Sequence, residues 1–320
     1  LNGKEVRAMA DNKGGLKARI RRDLAYQCKQ IKRHKMHYVL MAPYLILFTA
    51  FVVIPVVIAI IFSFTSFNIL EPPEFVGLKN YFRLFINDEI FLTGIKNTMI
   101  FAVITGPGGY LLALLFAWLI NDLPRGLRVV FTIVFYAPSI SGGMTIVWTY
   151  LFAADAKGFL NSWMMQLGLI NEPISWLTDE RYMMGIMILI ILWMSLGTTF
   201  LSFIAGLQGV DRQYYEAAAI DGIKNRWQEL WYITLPLMKP QLMFGAVMSI
   251  TSAFGVGDII TQIMGYPSAS YAVHTVMNHL TDYGTIRYEM GYACAIATLL
   301  FITMIGCNKL IQHLLRKVGT

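Results

Sequence analysis

Six apolar stretches, at about 39–64, 97–120, 129–153, 183–208, 242–263 and 291–311, dominate the sequence and decide what it can fold into. At 1.5 Å per residue, each is long enough to cross ~30 Å of hydrocarbon as a helix. Lipid supplies no water to satisfy backbone N–H and C=O groups, so a spanning segment must bond internally as a helix or close into a barrel. The alternating pattern of barrel strands is absent. The expected fold class is therefore all-α, a polytopic membrane protein with six transmembrane helices. Composition agrees, at 56% hydrophobic and 14% charged with a mean hydropathy of +0.55, where soluble domains carry about 25% charged residues.

With an even number of spans, both termini fall on one side. The segments on that side, 1–38, 121–128, 209–241 and the tail from 309, hold 20 of the 26 Lys and Arg residues. Positive charge concentrates on the cytoplasmic side, so both termini and the 209–241 loop are expected in the cytoplasm. Loops 65–96, 154–182 and 264–290 then lie outside. The expected organisation is a basic cytoplasmic arm, 1–38, followed by one membrane domain, 39–320. The arm carries Lys17, Arg19, Arg21, Arg22, Lys29, Lys32, Arg33 and Lys35. A basic run next to a membrane helix orients the chain and contacts lipid headgroups, and no nucleic-acid partner is expected. The first apolar run is too long for a cleaved signal peptide and lacks a small-residue cleavage site.

The 209–241 loop is too polar to span and too patterned to be a plain connection. Asp211 can N-cap a short helix through Tyr214, Tyr215, Glu216, Ala217, Ala218, Ala219 and Ile220, which Gly222, beside Asp221, then stops. Three consecutive alanines keep that helix thin enough for another chain's backbone to approach. Glu216 is a carboxylate that would be costly to bury unless a partner cation met it. A second helix is expected from Asn225 to Tyr232, with Trp227, Leu230 and Trp231 on one apolar face and Arg226 and Glu229 on the other. Pro236 and Pro240 are expected to break the chain before the next span.

Glu216-Ala217-Ala218, Gly222 and Ile233-Thr234-Leu235-Pro236 resemble the EAA loop of ABC-importer permeases. The spacer 223–232 is one residue longer than the usual pattern, and Arg212 stands where proline is frequent. The resemblance implies a coupling helix that docks in a groove on an ATP-hydrolysing subunit, through Tyr215, Glu216, Ala217, Ala218, Ala219, Asp221, Gly222, Leu235 and Pro236. It also implies a second homologous permease chain, two ATP-binding cassette subunits, a periplasmic solute-binding protein and a bacterial inner-membrane location.

Absences narrow the chemistry. No GxxxxGK[ST] loop is present, so ATP and Mg are expected on partner subunits and no cofactor on this chain. Cys28, Cys294 and Cys307 form no disulfide framework, and His34, His37, His274, His279 and His313 form no metal-ligand pattern. The chain is not expected to be an enzyme. An intramembrane enzyme would need a nucleophile with a base or a metal cluster at membrane depth. An ion channel or secondary transporter would need no ATPase partner and usually shows charged relays or an inverted repeat.

Polar and aromatic residues gather on the fourth and fifth runs. The candidate substrate path comprises Trp193, Thr198, Thr199, Ser202, Phe203, Ser249, Ser252, Phe254, Asp258 and Gln262. Small hydroxyls also serve helix packing. An ionised carboxylate such as Asp258 costs ~2.5 to 3.5 kcal/mol at the middle of a span. It must face a partner or a wet cavity, snorkel to water, or cap a local break at Gly255 and Gly257.

The span order, the outer loop after the first span and residues 286–301 (IRYEMGYACAIATLLF) resemble permeases for sugars and oligosaccharides, including those for alginate. What that implies is import of an oligosaccharide, an acidic one such as alginate included, by alternating access. Tyr266, Pro267, His274, His279, Tyr283 and Arg287 of the 264–290 loop are then expected either where a binding protein presents its cargo or in a plain outer loop.

Overall fold

The computed structural model describes residues 33–141 and 144–316, except the side chain of Arg316. Cys28 and the arm's basic residues up to Lys32 lie outside the described residues. Contacts divide the chain into two compact units, Leu1–Ile58 and Ala59–Thr320, so the expected boundary at 38 falls inside the first. That unit contains most of helix α1 (Lys35–Phe62), whose most apolar window has a mean hydropathy of 3.1. Such a helix is apolar all round, as a membrane span must be.

In the second unit helices joined by loops make up the regular structure of the described residues. Its principal helices are α2 (Glu89–Asn121), α3 (Arg125–Ile140), α4 (Met144–Leu151), α5 (Phe159–Gln166), α6 (Glu180–Met194), α7 (Thr198–Gln208) and α8 (Arg212–Ile220). They continue as α9 (Arg226–Leu237), α10 (Lys239–Phe254), α11 (Gly257–Met264), α12 (Val276–Thr281) and α13 (Met290–Arg316). Among the described residues there is no strand, only two isolated antiparallel bridges, Thr65 to Phe75 and Asn68 to Glu71.

Among the described residues four helices are long and apolar enough to cross a membrane: Lys35–Phe62, Glu89–Asn121, Glu180–Gln208 and Met290–Leu315. Two further bent pairs bring the total to six if each counts as one span. In the fifth apolar run the local break offered at Gly255 and Gly257 is present, so 242–263 is not one continuous helix. Helix α10 stops at Phe254, with Gly255 as its C-cap, and α11 restarts at Gly257. Two glycines within three residues weaken the helix. The side-chain amide of Asn278 then steadies the break, donating to the Gly257 carbonyl at 2.9 Å and to the Thr261 hydroxyl at 2.7 Å. The third run is likewise shared between α3 and α4.

Helix α2 is central because its contact face is small. Ala113 and Ala117 let it approach Phe200, Phe203, Ile204 and Leu207 of α7, and Leu242 of α10 completes the cluster. Close approach over small residues is how membrane helices gain packing energy when lipid is as apolar as the protein. At Gly245 of α10 an added Cβ would lie 2.6 Å from the Phe203 ring, so that glycine sets how near α10 comes to α7.

At the far end of α2 the chain is fastened by polar groups. The Asp88 carboxylate caps α2 by accepting from the Phe91 N–H, while its other oxygen bonds His279 at 3.0 Å and accepts from the Tyr292 hydroxyl at 2.8 Å. His279 in turn meets His274 at 3.1 Å. The Asn97 amide donates to the Tyr271, Ala272 and His274 carbonyls. Buried polar groups demand partners, and here they join α2, α12 and α13.

Candidate functional site

Helix α8 forms as its sequence directs. The Asp211 carboxylate accepts from the Gln213 N–H at the N-terminus. At the other end Gly222 adopts a φ of +96°, while the Ile223 and Gly222 N–H groups bond back to the Ala218 and Ala219 carbonyls. That pair of bonds is the Schellman stop, which needs a residue without a side chain in the left-handed position. The turn brings the chain to Asn225, whose side chain caps α9 by accepting from the Gln228 N–H.

The hairpin is pinned from within. The Tyr215 hydroxyl lies 2.9 Å from that of Thr234, and Thr234 also donates to the Glu229 carbonyl at 3.2 Å. Ala218, Leu230, Ile233 and Leu235 are buried. Glu216, Ala217, Ala219, Ile220, Asp221 and Gly222 are exposed. Glu216 pairs with Arg212 at 3.5 Å with both side chains mostly in solvent, an arrangement worth ~0–1 kcal/mol. The hairpin therefore offers an acidic, alanine-edged surface on a rigid backing.

Three details differ from expectation. Leu235 is a core side chain, so it shapes the hairpin and offers no docking surface. Trp227 and Trp231 are exposed although Leu230 is buried. Leu230 packs into the cluster of α2 and α7 while both tryptophans stay outside it, so the expected single apolar face divides. Pro236 does not end the helix. It sits at the start of the helical turn Leu235–Leu237, where a missing N–H costs little, and the 82° bend falls after it, between α9 and α10.

The candidate substrate path is brought together only in part. Thr198 and Thr199 at the start of α7, Ser249 and Ser252 on α10, and also Thr105, Ser139 and Ser195 line a cleft of about 280 Å³. Its apolar wall includes Ile191, Met194, Met248 and Val256. The cleft opens where α6 gives way to α7 at Ser195–Gly197, so loosened backbone and hydroxyls face one space. Phe203 and Phe254 are fully packed core residues instead. Trp193 lies at the edge of Phe135 and Trp148 rings, each 6.3 Å away. Ser202, Asp258 and Gln262 do not line the cleft, and Asp258 is exposed in the first turn of α11, beyond the break at Gly255. Thr105 and Ser139 escaped the sequence reading because each lies on a helix whose pattern gives no polar stripe.

In the 264–290 loop, His274, His279 and Tyr283 are buried. They hold the loop together and cannot face a cargo, whereas Pro267 and Arg287 are exposed. Burial and then the neighbouring His279 lower His274 from 6.5 to about 4. Burial pushes the Asp88 carboxyl up, but the bonds from His279, the Phe91 N–H and Tyr292 outweigh it and hold the group well below the usual carboxylate range.

Residues 107–316, from the middle of α2 to the end of α13, match the family described as binding-protein-dependent transport system inner membrane component. The chain belongs to this family. It is thus a multi-pass inner-membrane permease, a class that transports and is not enzymatic. It is 31% identical over 280 residues to the probable ABC transporter permease YesP of Bacillus subtilis, covering 86% of this chain and 88% of that one. It is 30% identical to the arabinooligosaccharide transport permease AraP of the same organism, over 89% of this chain and 88% of AraP. The lactose transport permease LacF of Rhizobium radiobacter is 29% identical, with 72% and 75% covered. Among solved structures, a chain of a bacterial ABC transporter for the acidic polysaccharide alginate shares the fold at a TM-score of 0.75 and 23% identity, over 91% of this chain and 99% of that one.

Proposed function

We propose that the chain is one permease subunit of an ATP-driven importer of oligosaccharides, paired with a second homologous permease and served by two ATP-binding subunits and a periplasmic binding protein. The observation that carries this reading is the α8–α9 hairpin, with its Schellman stop at Gly222, its internal Tyr215–Thr234 lock and its exposed edge of Glu216, Ala217 and Ala219. Such a hairpin transmits a push as a unit. Bound ATP and Mg lie on the partner subunits, and their closure moves the hairpin and the helices continuous with it. On this reading the hairpin and both termini are cytoplasmic, as the distribution of Lys and Arg requires.

The cargo class rests on relatives named for arabinooligosaccharides and lactose. The hydroxyl-lined cleft between α7 and α10 suits a ligand rich in hydroxyls and short of charge, so Thr198, Thr199, Ser249 and Ser252 are the proposed contacts. The solved complex of a bacterial alginate ABC transporter with alginate pentasaccharide-bound periplasmic protein makes acidic oligosaccharides a necessary arm of the test. Alternating access follows from linkage. A loaded binding protein stimulates the ATPase only if it binds one state better than the other.

The test is ATPase activity and uptake by the co-purified complex in liposomes, with binding protein loaded in turn with neutral and acidic oligosaccharides. Stimulation by one class supports importer and cargo together. A chain that purifies with no ATP-binding subunit, yet moves solute, overturns the reading in favour of a channel or secondary carrier.

A further inference from the structure

At the end of the second unit that carries α8 and α9, a pocket of about 610 Å³ opens among the last turns of α2 and α7, the start of α3, and the hairpin. Three guanidiniums line it, from Arg128, Arg212 and Arg226, against two carboxylates, from Asp122 and Glu229. Arg226 is committed, since it pairs with Asp122 and lies 4.9 Å over the Trp118 ring. The other two cations are not so held. Arg212 is 91% exposed and meets Glu216 at 3.5 Å. Arg128 donates from Nη2 to the Leu123 carbonyl at 3.2 Å, but its Nε is buried with no hydrogen-bond partner. A buried donor left unmade costs about 1–3 kcal/mol, and more when its group is charged. An anion in the pocket would remove that cost.

Position narrows the chemistry of the anion. The pocket lies where membrane-length helices pass into a polar hairpin, the depth of lipid headgroups. Leu119, beside Trp118, and Leu127, beside Arg128, are exposed there, and the indoles of Trp118 and Trp227 pack at a tilt with centroids 4.9 Å apart, at the level where Trp gathers in membrane proteins. Basic pockets between membrane helices take anionic headgroups, and guanidinium matches phosphate in geometry as well as charge. On α8 the lining residues are Arg212 and Tyr215, whereas Ala217 and Asp221 point to the opposite side of the helix. An anion here would leave Ala217 and Asp221 open to the ATP-binding subunit, while Glu216, which pairs with Arg212, borders the site.

We infer that this pocket binds a phosphate group through Arg128 and Arg212, from an anionic phospholipid headgroup or from free phosphate, and so ties the hairpin to α2 and α3. The site depends on the membrane setting and is independent of the cargo. The co-purified complex is exchanged into phosphatidylcholine nanodiscs with or without phosphatidylglycerol, and retained lipid is measured by native mass spectrometry. In lipid-depleted detergent, the thermal midpoint is followed with inorganic phosphate against chloride at equal ionic strength. Wild type, Arg128→Gln, Arg128→Lys and Arg212→Gln are compared, with Arg125→Gln, outside the pocket, as control. Phosphatidylglycerol retained by wild type and the control, but bound about tenfold more weakly by Arg128→Gln, supports a lipid source. A phosphate-dependent rise in midpoint that Arg128→Gln abolishes, without lipid retention, supports a free one. Arg212 is exposed enough for its variant to fold, so it tests the site even where Arg128→Gln does not assemble. Equal retention and equal midpoints across all variants, retention of phosphatidylcholine in place of phosphatidylglycerol, or protection only by the ATP-binding subunit overturns the assignment.

Discussion

The hydroxyl of Tyr215 on α8 lies 2.9 Å from the hydroxyl of Thr234 on α9, nineteen residues along the chain. It is the one side-chain hydrogen bond between the two helices of the hairpin among the described residues. It sits beneath the surface that Glu216 and Ala217 expose. Tyr215→Phe deletes it while keeping the ring, and Thr234 retains its bond to the Glu229 carbonyl. The expected loss is about 0.5–1.5 kcal/mol of stability, small beside a larger fall in uptake per ATP hydrolysed. Measuring both in proteoliposomes checks this. An unchanged transport-to-hydrolysis ratio would show that the hairpin needs no internal lock.

Gly222 tests the stop in isolation. Its φ is +96°, and an added Cβ would meet no atom within 4 Å, so a substitution there is penalised by backbone conformation alone. An L-residue in left-handed geometry costs about 1–2 kcal/mol, less for Asn than for Val. Uptake should fall in the order Gly, Asn, Ala, Val, with membrane insertion intact. Equal activity of Gly222→Val and wild type would mean that α8 keeps its angle without the stop.

The local rules that place this hairpin were readable in the sequence because they act within a few residues: Asp211 as a cap, Gly222 as a stop, Asn225 as the start of the second helix. Three other features were not. The break at Gly255 was only one of the readings open for Asp258, because a hydropathy run counts apolar area and could not choose among them. The apolar face of α9 divides because α2 and α7 cover Leu230 and leave Trp227 and Trp231 exposed, which a fixed 3.6-residue period cannot anticipate. Asp88 and His279 meet across 191 residues, and no local pattern joins them. Of the substrate path, the hydroxyls of α7 and α10 could be anticipated as one group, whereas Phe203 and Phe254 read the same from sequence whether they line a cleft or fill a core.

Gly245 and Phe203 make the contact between α7 and α10 testable. A methyl at Gly245 would lie 2.6 Å from the Phe203 ring, and Phe203 is packed edge-on against Tyr110 at 5.2 Å. Gly245→Ala should destabilise by about 1–3 kcal/mol through overpacking. Phe203→Leu should recover part of that loss when combined with it, so the two changes should be non-additive in a double-mutant cycle of thermal midpoints. Additive effects would mean that the helices simply separate to make room.

The buried cluster at the other end of α2 sets the last expectation. His274 faces His279 at 3.1 Å, with Tyr266 and Tyr271 ringed about it and Asp88 and Asp282 near enough to act on its charge. Its folded value, about 4, lies below the ordinary 6.5, so the unfolded chain takes up a proton first as pH falls. Its contribution is therefore full above pH 6.5 and is lost as pH falls toward about 4, on the order of 3 kcal/mol at about 1.4 kcal/mol per unit. Asp88 acts later, because its depressed value preserves its contribution until pH passes below the ordinary 3.8. Thermal midpoints of the detergent-solubilised complex should drop across the first window for wild type and change less for His274→Gln, which starts lower at neutral pH. Asp88→Asn should lower the midpoint at every pH in that window without flattening the slope. Parallel curves for wild type and His274→Gln would show that this histidine does not carry the acid sensitivity.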